Sequence, residues 1–264
     1  AGMRIEPEGK PTGIAHISIP TTAGTGSEVT NGAVIFNDNT GVKALLFAPY
    51  LDSDIALLDA QLTVGLPPAI TADTGMDALT HAVEAIVCPV SNPFTNGFCF
   101  SAVDHIFRAL PECVKNGRNV QAREEMLQAA CMATWALGNA VGAAPVHNCS
   151  HALGALYHIP HGRANGVLLP VVMEEFIEFY LPYAADLAKA FAVPLTTPEA
   201  TVRAVIARIK QLQQDTGMPT HFGEFKIPPG DMERIVMAIA SDPLAAMYQI
   251  PPAKIGAIVQ RVIG

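Results

Sequence analysis

The chain has 264 residues, half of them hydrophobic and only 15% charged, which excludes a disordered protein and leaves room for one large domain or two ordinary ones. Its 16 Lys and Arg against 24 Asp and Glu give a net charge of −8, with no basic run, arguing against a nucleic-acid or anionic-membrane partner. No stretch approaches the roughly 20 unbroken apolar residues of a bilayer span. The opening AGMRIEPEGKPTG carries no apolar signal core, and Cys88, Cys99, Cys113, Cys131 and Cys149 form no C-x-x-C pair. A cytoplasmic protein with reduced thiols is the expectation.

In chain order, AHISIP alternates in polarity and stops at Pro20, a strand pattern. SIPTTAGTGSEVT (18–30) then runs into a turn of Gly and Thr. Small residues there let backbone amides approach a phosphate, although a tight structural turn has the same composition. It is neither a P-loop, since no G-K-[ST] follows, nor a G-x-G-x-x-G fingerprint. GAVIFNDNTGVKALLFAP reads as two strands joined between Asn37 and Gly41, and DIALLDAQLT as one more, ending near Asp59. After GLPPAIT (65–71) the periodicity becomes helical, predicting helices over roughly 72–88, 94–115, 120–143, 145–157, 164–191, 198–215, 231–240 and 252–263. The layout is a small β-containing piece attached to a helical domain.

Two stretches carry chemistry. In DTGMDALTHAVEA (73–85), Asp77 and His81 are four apart, so on a helix both side chains reach one point. That is half a metal site, or else a polar helix face behind an ordinary capped start at Thr71 or Asp73. HNCSHALGALYHIPHG (147–162) holds four of the chain's eight histidines. His147 and His151 are again four apart, and His161 follows Pro160, which ends a helix and lets the chain fold back. Three His and one Asp supply nitrogen and oxygen donors suited to a divalent transition metal. Buried imidazoles need a partner, which a shared ion provides. Spacing leaves open which histidines ligate: His158 reads as a rim residue, and Cys149 faces away from His147. His16, His105 and His221 read as structural or surface residues. Glu84, three past His81, is either a group orienting a ligand from behind or part of a solvated face.

Together, PTTAGTGSEVT, DTGMDALTHAVEA and HNCSHALGALYHIPHGRANGVLLP resemble the iron-containing (group III) alcohol dehydrogenases, in the family's order and over essentially the whole chain. The resemblance implies metal ligands at Asp77, His81, His147 and His161, and a proton-relaying histidine near the nicotinamide at His151. It also implies cofactor-binding residues at Thr21, Thr22, Thr25, Lys43 and Leu62. The implied fold is mainly α: a helical metal-binding domain (67–264) and a short β-containing piece (1–66) left from an α/β dinucleotide-binding domain, as in dehydroquinate synthase-like proteins. Nothing matches the family's G-G-G-S-type pyrophosphate loop or its acidic residue selecting NAD over NADP, so an upstream dinucleotide half is expected to be missing. The implied activity is hydride transfer between NAD or NADP and a small alcohol or aldehyde, with Fe²⁺ or alternatively Zn²⁺ as Lewis acid, in a homo-oligomer. Three other readings stand beside it: a zinc-dependent glycerol-dehydrogenase-like enzyme, a dehydroquinate-synthase-like enzyme, and a metal-binding helical fragment inactive without its N-terminal half. Only Arg163 follows His161 closely, which favours a weakly charged substrate over that of a dehydroquinate synthase.

Overall fold

A computed structural model describes residues 13–37, 39, 42–48, 50–140 and 142–263, with residues 37 and 42–45 described by backbone alone. β1 (Ile17–Ser18) leads into the Thr/Gly turn and a 3-10 turn at Ser27–Val29. β2 (Gly32–Asn37) and β3 (Val42–Phe47) form an antiparallel hairpin, Gly32 opposite Phe47 and Asn37 opposite Val42. β4 (Ile55–Ala56) pairs in parallel with β1, Ile17 opposite Ile55. A 3-10 helix, Ala60–Thr63, is capped by the Asp59 carboxylate, which accepts from Gln61 N. The predicted strand in DIALLDAQLT thus shortens to two residues, because Asp59 caps a helical turn where the strand was expected to end.

From here the chain is helical. α1 (Pro68–Ile86) begins four residues before the predicted 72, since proline is well suited to a helix's first position. α2 (Pro93–Lys115) opens on a capping box: Asn92 Oδ1 accepts from Thr95 N, and Thr95 Oγ1 accepts from Asn92 N. α3 (Val120–Asn139) is capped by Asn119 and ends before the predicted 143. α4 (Pro145–Tyr157) and α5 (His161–Glu175) follow. The single helix predicted over 164–191 is instead α5, α6 (Ile177–Tyr180), a 3-10 turn over Leu181–Tyr183, and α7 (Ala184–Ala190). The helix breaks at Phe176 (φ −122°, ψ 37°), whose ring stacks on Phe179, and Pro182 then occupies the 3-10 turn. α8 (Pro198–Asp215), α9 (Met232–Ala240) and α10 (Pro252–Val262) complete the fold.

α1 is the centre. From Thr71 to Val87 every residue but Thr74 is buried, and α2, α3 and α5 pack directly on it. A helix covered on all sides needs small residues so that neighbours can come close, and Ala72, Gly75, Ala78, Ala82 and Ala85 provide them. A Cβ on Gly75 would lie 2.3 Å from a methyl of Leu110. Among the described residues, no helix is long and apolar enough to cross a membrane. All five cysteines are free.

The start of α1 is tied to α3 by one side chain. The Arg123 guanidinium, 3% exposed, donates from Nε to Gly117 O (3.0 Å), from Nη1 to Thr71 Oγ1 (2.8 Å) and from Nη2 to Leu66 O (3.4 Å). Arg123→Met removes three bonds and leaves the buried Thr71 hydroxyl and two part-buried carbonyls without this donor. Urea unfolding should register a loss of about 2–4 kcal/mol. A loss below about 0.5 kcal/mol, ordinary for a surface position, would contradict this clasp.

Candidate metal centre

Three helices deliver four side chains to one point. Asp77 and His81 lie one turn apart on α1, His147 is in the first turn of α4, and His161 is the first residue of α5. One donor atom from each lies within 4.8 Å of all the others. Asp77 Oδ1 stands 3.9 Å from His81 Nε2, 3.8 Å from His147 Nε2 and 3.5 Å from His161 Nε2. Asp77, His81 and His147 are buried, and His161 is partly open to solvent.

Close packing of α5 on α1 makes this convergence possible. A Cβ on Gly162 would sit 2.4 Å from the Asp73 carbonyl oxygen, so only glycine allows the approach that brings His161 over Asp77. Beside it, Arg163 Nε donates to Asp73 Oδ1 at 2.7 Å, and its Nη1 pairs with Glu224. α4 is held by Glu84. That carboxylate accepts from Val146 N at 2.6 Å and His147 N at 3.4 Å, capping α4, while its other oxygen bonds His147 Nδ1. Glu84 therefore turns the His147 ring so that Nε2 faces Asp77, and it lies on no solvated face.

Electrostatics follow the burial. Burial pushes the Asp77 carboxyl up, but the imidazoles of His81, His161 and His147 and the amide of Asn165 outweigh it and hold the group below its ordinary value. Burial pushes the Glu84 carboxyl up to about 8, against the pull of the two α4 amides. His81 Nδ1 lies 3.1 Å from Thr134 Oγ1 on α3, a contact that fixes the ring with Nε2 inward.

The donor set fits a metal ion. A tetrahedral ion with bonds of about 2.1 Å separates its donors by about 3.4 Å, close to the 3.5–3.9 Å spacings around Asp77. Three imidazoles and one carboxylate suit divalent iron or zinc. The alternative of a simple polar face behind Thr71 or Asp73 does not describe the helix: Thr71 Oγ1 accepts from Arg123 and Asp73 from Arg163.

The remaining sequence candidates fall as follows. His151, one turn past His147, is buried, its ring 5.5 Å from that of His161 and its Nδ1 3.9 Å from Asp242 Oδ2. His158 closes α4 in a left-handed conformation and is exposed. Cys149 is buried outside the donor group, its thiol pushed well up by burial. His16 and His221 are exposed, and His105 Nδ1 lies against Ser101 O. Thr21 and Thr25 are exposed and Thr22 is half-buried in the turn after β1; Leu62 is exposed in the 3-10 helix. Lys43 sits on β3, and its side chain lies outside the described residues. The turn meets α1 and α3 through its glycines. A Cβ on Gly24 would lie 2.8 Å from Thr74 Cβ, and one on Gly26 (φ +55°) 2.4 Å from Thr134 Cβ, the residue that holds His81.

Two groups at the centre were absent from the sequence expectations. Thr134 is 53 positions from His81 and gave no local signal. Asn165 was readable in principle, four past His161 on one helix; its Nδ2 lies 2.6 Å from Asp77 Oδ1.

Residues 71–258 match the family described as "Fe-containing alcohol dehydrogenase family, C-terminal", and residues 3–60 match "Iron-containing alcohol dehydrogenase". The chain belongs to the iron-containing alcohol dehydrogenase family. It is 40% identical over 243 residues to long-chain-alcohol dehydrogenase 1 of Geobacillus thermodenitrificans, covering 90% of this chain and 60% of that protein. It is 39% identical over 218 residues to the 1,3-propanediol dehydrogenase of Klebsiella pneumoniae, covering 81% of this chain and 56% of that one. The solved alcohol dehydrogenase from Oenococcus oeni superposes with a TM-score of 0.89 at 32% identity, over 97% of this chain and 68% of that one. The chain thus spans about 60% of the length of the Geobacillus relative.

Glu84→Gln separates capping from ligand orientation. Its amide oxygen can still cap α4, but its NH₂ then meets His147 Nδ1. Competition against a chromogenic chelator should show Zn²⁺ bound about 10–100-fold more weakly than by the wild type. Unchanged affinity would reduce Glu84 to a helix cap.

Proposed function

We propose that this chain is the metal-holding part of a nicotinamide-dependent alcohol dehydrogenase or aldehyde reductase, with residues 67–264 carrying the metal centre and residues 1–66 contributing to the dinucleotide site. The observation that carries the reading is the convergence of Asp77, His81, His147 and His161, with one donor atom from each within 4.8 Å of the rest. An ion held there would supply Lewis acidity toward the oxygen of an alcohol or aldehyde, while a bound nicotinamide would exchange the hydride. Iron(II) is the ion proposed, as in the family's name; the same donors also accept zinc, which binds such sites more tightly in the Irving–Williams order.

The chain's own residues do the rest. Thr134 and Glu84 fix the rings of His81 and His147. The proton role is assigned to His151, buried one turn beyond His147 with Nδ1 3.9 Å from Asp242 Oδ2: it would take the substrate proton at a ring nitrogen and pass it outward past the partly open His161. The Thr21–Thr25 turn, Lys43 and Leu62 are assigned to the dinucleotide. Substrate choice follows from charge. Arg163, the nearby cation considered from the sequence, already binds Asp73 and Glu224, which supports a small, weakly charged alcohol or aldehyde over a polyanionic substrate.

Elemental analysis of the purified chain should find about one iron or zinc per chain, and the double substitution Asp77→Ala, His161→Ala should abolish it. A metal-free wild type, or retention of the ion by the double variant, contradicts the site. His151→Gln should keep the ion and lower alcohol-dependent NAD(P) reduction by about 10²-fold or more. An undiminished rate would remove the proton role.

A further inference from the structure

Asn165 lies on α5, one turn past His161, with its side chain buried. Its Nδ2 is 2.6 Å from Asp77 Oδ1, 3.1 Å from His147 Nε2 and 3.2 Å from His161 Nε2. Those are three of the four donor atoms already described, so one amide nitrogen caps the face they outline. With one hydrogen given to Asp77, the second can reach one imidazole nitrogen at a time, and the nitrogen that accepts it presents its lone pair, the form in which it can ligate. At the other end of the same amide, Oδ1 is buried and has no hydrogen-bond partner. Burying an acceptor this way is costly, and the arrangement persists because Nδ2 is committed to the donor atoms.

From this geometry we infer that Asn165 is a positioning residue for the metal centre: its amide holds the Asp77 carboxylate and the His147 and His161 rings in ligating orientation before any ion arrives. The inference rests on the metal reading above. Without Nδ2, Asp77 would face its neighbours across 3.5–3.9 Å with one fewer donor, and the two rings would lose the group that registers them. The ion would then have to order side chains that the wild type presents already ordered, which weakens binding.

The test uses Co²⁺ as probe on the chelator-stripped full chain, following both affinity, by chelator competition, and the visible d–d spectrum of the bound ion. Asn165→Leu keeps the shape and removes the donor. It should bind Co²⁺ about 10–100-fold more weakly than wild type, with an altered spectrum. Asn96→Leu is the control, because Asn96 is also buried with an unpartnered Oδ1 but lies on α2 outside the donor group. It should leave Co²⁺ affinity and spectrum as in wild type. If Asn165→Leu does not fold, Asn165→Asp replaces the donor with a second carboxylate beside Asp77. The metal-free variant should then melt below wild type, and Co²⁺ should raise its melting temperature by more than it raises the wild type's. Wild-type affinity and spectrum in Asn165→Leu, or a wild-type Co²⁺ shift in Asn165→Asp, overturns the inference. Failure of the wild type itself to bind Co²⁺ overturns the metal reading instead.

Discussion

A carboxylate buried at the middle of the central helix sets the terms for everything around it. Asp77 is 1% exposed, and an isolated charge there would cost several kcal/mol. Compensation has to come from neighbouring elements, since α1 itself offers only His81, one turn away. α4 brings His147, and α5 brings His161 and Asn165. That demand fits the packing of α5 on both α1 and α4, and glycine at position 162, where any larger residue would hold α5 off the Asp73 carbonyl. Fold and site therefore share a cause: the helices that stabilise the carboxylate also supply the donors for a cation.

The polar groups behind the donors have two jobs each. Glu84 caps α4 and turns the His147 ring, so the position of that helix and the orientation of that ligand are coupled. Thr134 orients His81 on one side and on the other receives the Thr/Gly turn at Gly26. The Thr/Gly turn and the His81 ring thus meet on one threonine.

The helical periodicity and the two four-residue spacings, Asp77–His81 and His147–His151, could be read from the sequence because they are local. Proline and Asn punctuation likewise set the starts of α2, α4 and α8. What could not be read depends on distant partners. Whether Glu84 faces water or His147 is decided by a helix that begins 61 positions later, and the break of the long helix at Phe176 by aromatic stacking among Phe176, Phe179 and Tyr248. Thr134 carries no motif, and while the four-residue spacing of His161 and Asn165 in HGRANG is local, the turn of the Asn165 amide toward Asp77 depends on α1. Their roles exist only once three helices have met.

The central claim is that the donors at this point are three imidazole nitrogens and one carboxylate oxygen. X-ray absorption fine structure at the metal edge of the iron- or zinc-loaded chain tests it most directly. The account requires a nitrogen and oxygen shell at about 2.0–2.2 Å, with outer-shell scattering from about three imidazole rings. A sulfur contribution near about 2.3 Å, or an all-oxygen shell without imidazole scattering, would contradict it.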